Sequence, residues 1–333
     1  MTQPTADRRG PTDRRAPSWW WVVAALALLL GSIVLSAMVG PAGTISSANW
    51  NIIWEIRLPR VVLAAIVGSM LSLAGASYQG VFRNPLVDPY LLGSAAGAGL
   101  GATLVFAYAQ TASTEWPIDP LPLAAFVGAL VAVLITYAVG ASFGGSSLTL
   151  VLAGVAVAAL ATAVQQVVLL RNADVIEQVY SWISGRLSTA TWADVRLVLP
   201  YVVVSSVVLL MHRRQLDVLR VGDEEAAALG AEVRRIRLVV VIAATLGTAA
   251  VVSVSGLIGF VGIMVPHLVR LVFSASYRWV LPMSIIVGAT FLILADIPGR
   301  VLESGRETPI GVVTAFLGAP MFIVVLRSKR RFT

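Results

Sequence analysis

The chain has 333 residues, 58% of them hydrophobic and 12% charged, with a mean hydropathy of +0.86. Soluble domains carry about 25% charged residues, so a water-soluble globular protein is excluded. Cysteine is absent, which removes disulfides, thiolate metal sites and a thiol nucleophile, and the net charge of +7 is spread so unevenly that it reports membrane orientation rather than nucleic-acid binding.

A helix crossing the hydrocarbon core needs about 20 apolar residues. Ten stretches meet that demand, near 19–40, 61–80, 91–109, 120–139, 148–170, 195–211, 238–254, 256–272, 280–297 and 309–326. Ahead of the first lies a basic tail, 1–18, with Arg8, Arg9, Arg14 and Arg15. The first stretch holds 22 residues, Trp19 to Gly40, longer than the apolar part of a signal peptide, about 7–15 residues. It is expected to be a retained helix, with the arginine pairs as topology anchors and not an export signal.

The second stretch carries Gly68, Ser72, Ala76 and Gly80, and the third Gly93, Gly97 and Gly101. Small residues four apart let backbones approach closely in lipid, where apolar burial does not drive helix association. Gly97 to Ala102 also satisfies the dinucleotide pattern GxGxxG/A, but it lies inside an apolar span with no strand before it, so the cofactor reading is rejected. In the fifth stretch, Gln165 and Gln166 are expected to hydrogen-bond between helices.

The longest cytoplasmic loop is 212–237. Within it, Gly222-Asp223-Glu224-Glu225-Ala226-Ala227-Ala228-Leu229-Gly230 reads as a short helix. Asp223 is expected to cap it, Glu224 and Glu225 complement its positive end, and Gly230 stops it. The flanking arginines are expected to pin it to the membrane surface. Further on, 238–272 is too long for one span, and Ser253-Val254-Ser255-Gly256, with Gly259, is the expected break. Asp296 closes the ninth span, and a second basic tail occupies 327–333.

Short cytoplasmic loops carry the excess of Lys and Arg. With the N-terminus inside, ten spans leave 17 basic residues in the cytoplasm and 7 outside, among them Arg57, Arg60, Arg186 and Arg300. Nine spans would put the basic C-terminal tail outside. The expected fold is therefore an all-α polytopic membrane protein with ten transmembrane helices over 19–326 and both termini cytoplasmic.

Only two histidines occur, His212 and His267, and HExxH, GxSxG and GxxxxGK[ST] are all missing. An enzyme is not expected, and ATP-driven transport would need its ATPase on another chain. Ionisable residues at membrane depth mark ion or proton pathways. Their scarcity disfavours an ion-coupled secondary transporter and suits a wide, neutral path for a bulky solute.

Seven ordered blocks between residues 57 and 320 resemble the FecCD/BtuC family, the permease subunits of type II ABC importers for iron-siderophore complexes, haem and cobalamin. They are Arg57-Leu58-Pro59-Arg60; Gln79 to Pro89 with Leu92-Gly93; Leu152 to Ala156; the loop helix; Gly256 to Gly262 leading to Pro266-His267-Leu268-Val269-Arg270; Leu294-Ala295-Asp296; and Pro309 to Ala315 with Gly318-Ala319-Pro320. The resemblance implies a homodimeric permease in the cytoplasmic (inner) membrane of a bacterium, two ATPase subunits that bind the ATP and magnesium, and an extracytoplasmic binding protein. It implies no cofactor or metal in this chain and no nucleic-acid partner. The family's commonest cargo is a ferric siderophore, with haem or cobalamin as the alternative. By the same resemblance, Arg57, Arg60 and Arg300 match outer arginines that receive acidic residues of the binding protein. Gly222 to Gly230 matches the helix that docks on the ATPase. Ser146-Ser147-Leu148 takes the place of the cytoplasmic gate, with residues that differ from the commoner forms there.

Overall fold

A computed structural model describes residues 19–40, 43–44, 50–109, 119–301 and 307–329. The tail 1–18 and residues 330–333 of the second tail lie outside the described residues. In chain order the helices are α1 Trp19–Met38, α2 Trp50–Ile52, α3 Leu58–Val81, α4 Ser94–Tyr108, α5 Pro120–Ser142, α6 Ser147–Arg171 and α7 Ile176–Ile183. They continue as α8 Trp192–Met211, α9 Arg213–Leu219, α10 Asp223–Ala228, α11 Val233–Ser255, α12 Val261–Val272, α13 Tyr277–Val301 and α14 Ile310–Lys329. A π-helical turn, Ile53–Arg57, runs straight into α3, and two-residue strands β1 Val39–Gly40 and β2 Gly43–Thr44 pair antiparallel after α1.

Local chemistry accounts for the helix boundaries. Asp119 accepts from Leu121 N at the start of α5, Ser146 accepts from Thr149 N before α6, and Thr191 and Asp194 form a reciprocal capping box on α8. The break inside 238–272 falls at the expected place. Gly256 (φ +68°) ends α11, and Phe260 (φ +69°) holds the left-handed turn that precedes α12.

Among the described residues seven helices are long and apolar enough to cross a membrane: α1, the continuous stretch Trp50–Val81, α5, α6, α8, α11 and α13. Helices α4 and α12, of 15 and 12 residues, are shorter, and α14 has 20 residues. Each of the ten stretches read from the sequence contains one of these elements, but two are cut back by backbone turns. Gly93 (φ +86°) delays α4 to Ser94. The irregular segment 256–260 leaves α12 with 12 residues, about 18 Å of helix against a core about 30 Å thick.

Irregular backbone at such depth needs protein partners, and it has them. Ile258 N donates to the Tyr90 hydroxyl (3.2 Å), which donates to Ile258 O (3.1 Å), and Arg186 N donates to Ser255 O (2.8 Å).

Helices α3 and α11 form the centre, each 78% buried over its most apolar window, whereas α1 and α6 are 17% and 22% buried and lie at the periphery. Small residues allow the close packing around α3 and between α4 and α5. A Cβ at Gly68 would meet the carbonyl oxygen of Gly288 in α13, and one at Gly75 would meet that of Gly262 in α12. Gly97 and Gly101 make the same kind of approach to Gly128 and Ala124 of α5. Gly93 does not belong to that face as expected; it is the turn residue before α4. Gln165 is buried and donates to Thr103 Oγ1 (2.9 Å), joining α6 to α4, while Gln166 is exposed.

Candidate functional site

At the end of the bundle bearing loop 212–237, α9 and α10 are held by three long helices. Leu216 and Leu219 of α9 are fully buried. Asp217 accepts from Tyr277 N (2.8 Å) and Ser276 Oγ (2.7 Å), which fastens α9 to the start of α13. The sequence expectation that Asp223 caps α10 is corrected. Gly222 (φ +131°) takes the cap position without a side-chain bond, and Asp223 is the first helical residue. Its carboxylate is already engaged by Arg237 of α11 (2.9 Å) and, more loosely, by Arg83 beyond α3 (3.5 Å). These two arginines therefore bind the helix itself. Gly230 (φ +85°) ends the segment as expected.

Arg237 links two regions that the sequence keeps apart. Its side chain is 9% exposed, and Nη1 donates to Gly145 O (3.2 Å) while Nη2 holds Asp223. Gly145 precedes the turn Ser146-Ser147-Leu148. There Ser146 caps α6, the Ser147 hydroxyl is buried with no partner among the described residues, and Leu148 is exposed. The outward face of α10 comprises Glu224, Glu225, Ala227 and Ala228 with Leu229, whereas Ala226 packs inward. Nothing in the spacing of Gly145 and Arg237 announces their contact, because 92 residues separate them.

Near the same end, α3 and α12 are joined by Arg270, which donates to Gln79 Oε1 (2.6 Å); Gln79 Nε2 in turn donates to Gly262 O (3.0 Å). Asp88, in the loop after α3, accepts from Tyr90 N (2.8 Å). Desolvation pushes its carboxyl up to about 6, opposed by that hydrogen bond.

At the opposite end the arginines depart from expectation. Arg60 and Arg300 are 8% and 3% exposed and lie in a buried ion cluster instead of at the surface. Arg60 grips both oxygens of Asp296 (2.9 Å each) and both of Glu307 (2.8 and 3.0 Å). Arg300 also binds Asp296, through Nε (2.7 Å) and Nη2, and sends Nη1 to Ser36 O (3.1 Å). Half-buried Arg57 donates to Ala37 O and Met38 O, both at 3.1 Å. Arg57 and Arg300 share a physical reason, since the last carbonyls of α1 have no intrahelical donors and cationic side chains satisfy them; Arg60 is held instead by its two carboxylate partners. The Asp296–Arg300 spacing of one helical turn was visible in the sequence. The role of Glu307 was not.

The described residues form a helical bundle with a short helix fastened to its long ones, and comparison with known proteins gives the class as a transport permease subunit. Residues 20–328 match the FecCD transport family, and the chain belongs to it as an ABC importer permease, a multi-pass protein of the inner membrane. It is 42% identical over 279 residues to the cobalamin import system permease protein BtuC of Halobacterium salinarum, covering 84% of this chain and 74% of that one. It is 38% identical to the ferric enterobactin transport system permease protein FepD of Escherichia coli, covering 93% of each chain. To the hemin transport system permease protein HmuU of Yersinia pestis it is 34% identical, over 93% of this chain and 95% of the relative. Among solved structures, an inward-facing ABC transporter assigned to the metal-chelate type superposes with a TM-score of 0.85 at 28% identity, covering 93% of this chain and all of that one.

Proposed function

We propose that the chain forms the membrane pathway of an ATP-driven importer for a large metal chelate, as a homodimer with two ATPase subunits and an extracytoplasmic binding protein. The observation that carries this reading is the bridge from α10 through Arg237 to Gly145. A force applied to the outward face of α10 by an ATPase reaches the turn Ser146-Ser147-Leu148 through one buried side chain. That turn then acts as the gate, and α6 leads from it along the pathway. Of the outer arginines, half-buried Arg57 offers the first contact to acidic residues of a binding protein, while Arg60 and Arg300 frame the platform behind it.

The cargo proposed is a ferric siderophore, as the resemblance to the FecCD/BtuC family suggests and as similarity to the ferric enterobactin permease supports. Cobalamin is the second reading, favoured by the 42% identity to the Halobacterium permease. Reconstitution in liposomes with the ATPase and binding protein tests both. ATP-dependent uptake of a ferric siderophore is expected, and uptake that follows an ion gradient without ATP overturns the importer reading.

The proposed topology has ten crossings and cytoplasmic termini, the shorter helices α4 and α12 spanning with the help of the irregular segments that precede them. The absence of native cysteine makes this directly measurable. A cysteine at exposed Ser188 is expected to react with a membrane-impermeant thiol reagent added to intact cells, and one at exposed Glu224 only after permeabilisation. Labelling of Glu224→Cys in intact cells would reverse the orientation.

A further inference from the structure

A cleft of about 470 Å³ opens between α5 and α8, with Ala250 and Val254 of α11 in its floor. Its volume lies in the range of about 300–1,000 Å³ typical of small-molecule sites. The cleft is amphiphilic along its length. Asp119, Arg186 and Asp194 line it where α5 and α8 begin, and Phe126 and Tyr201 line it further in, their rings 5.3 Å apart. Each aromatic lies seven residues beyond the aspartate on its own helix, about 10 Å deeper at 1.5 Å per residue.

The polar end has unused capacity. The Arg186 Nε is buried with no hydrogen-bond partner, and Arg186 forms no ion pair among the described residues. Among the described residues Asp119 uses only Oδ1, to cap α5, and Asp194 only Oδ2, in its capping box, so the other oxygen of each carboxylate has no partner there. A buried guanidinium donor without a partner is costly, and it calls for an anion. Two neighbouring carboxylates with spare acceptors call for a cation that can donate hydrogen bonds.

We propose that this cleft binds one phosphatidylethanolamine molecule. The phosphate receives Arg186, the primary ammonium donates to Asp119 and Asp194, and one acyl chain lies along Phe126, Leu197 and Tyr201. The charge pattern selects the headgroup. Phosphatidylglycerol offers the carboxylates no cation, and the quaternary ammonium of phosphatidylcholine has no N–H to donate. The bound lipid joins the starts of α5 and α8 to the last turns of α11, beside the Arg186–Ser255 backbone bond that supports the irregular segment.

The test is native mass spectrometry of the full-length permease, delipidated in mild detergent and supplied with one phospholipid at a time. One phosphatidylethanolamine retained per chain is expected, with at least tenfold preference over phosphatidylglycerol and phosphatidylcholine. Arg186→Gln is expected to lower retention at least tenfold. Leu197→Trp, at an exposed groove position, is expected to do the same by filling the tail path, so the test survives if Arg186→Gln fails to fold. Asp119→Asn with Asp194→Asn is expected to erase the preference over phosphatidylglycerol. Equal retention of the three lipids, or retention of phosphatidylethanolamine unchanged in both single variants, overturns the proposal, and a cleft filled by a second copy of the chain would give that result.

Discussion

Asp296→Asn is expected to be the most destabilising single substitution at the end of the bundle opposite α10. Asp296 is 2% exposed and receives four N–H donors, two from Arg60 and two from Arg300. Removing its charge leaves two buried guanidiniums facing a neutral amide, and uncompensated buried charge costs about 3–5 kcal/mol. Total stability of a domain is only about 5–15 kcal/mol. Glu307→Gln provides the contrast, because the Glu307 side chain is 31% exposed and solvent screens such a pair to about 1 kcal/mol or less. Thermal unfolding of the purified permease, followed by tryptophan fluorescence, measures both. A melting temperature for Asp296→Asn within a degree or two of the parent would show that the cluster carries little of the fold.

Ala227→Pro is expected to reduce ATP-driven uptake at least a hundredfold while the permease still folds. Ala227 lies inside α10, a helix of six residues, and a proline in a helix interior costs about 3 kcal/mol. The anchors of the neighbouring α9, namely buried Leu216, buried Leu219 and Asp217 on the start of α13, do not pass through Ala227. Damage should therefore stay local. Arg237→Gln cuts the bridge at its middle, releasing both Asp223 and Gly145, and should cost roughly tenfold in uptake with ATPase docking retained. Transport assays of the reconstituted complex, beside a pull-down of the ATPase, separate loss of coupling from loss of assembly. Parent-like uptake in both variants would remove α10 and Arg237 from the transmission path.

Much of the helical layout was legible before the structure. The ten apolar stretches each hold a helix, the break before α12 lies at Gly256, and Gly222 and Gly230 bound α10. Helices α7 and α9, of 8 and 7 residues, carry no such signal, because a run of about 20 apolar residues marks a span and short amphipathic segments have none. The pairing of the arginines was hidden for another reason. Arg60 reaches Asp296 and Glu307 across 236 and 247 residues of chain, and no spacing rule joins positions so distant. From the sequence they were three like charges at one surface; in the fold two of them are paired and covered.

Sequence alone determined what is local: which segments belong in hydrocarbon, where glycine permits a turn, and where small residues allow close approach. Transfer from water to lipid is summed residue by residue along a helix, so it can be read in order. Tertiary structure decided which charges are spent on partners, which donors remain unpaired, and that Arg237 stands between α10 and the Gly145 turn. Ion pairing and burial depend on distances between segments remote in the chain, and only the packed bundle sets those distances.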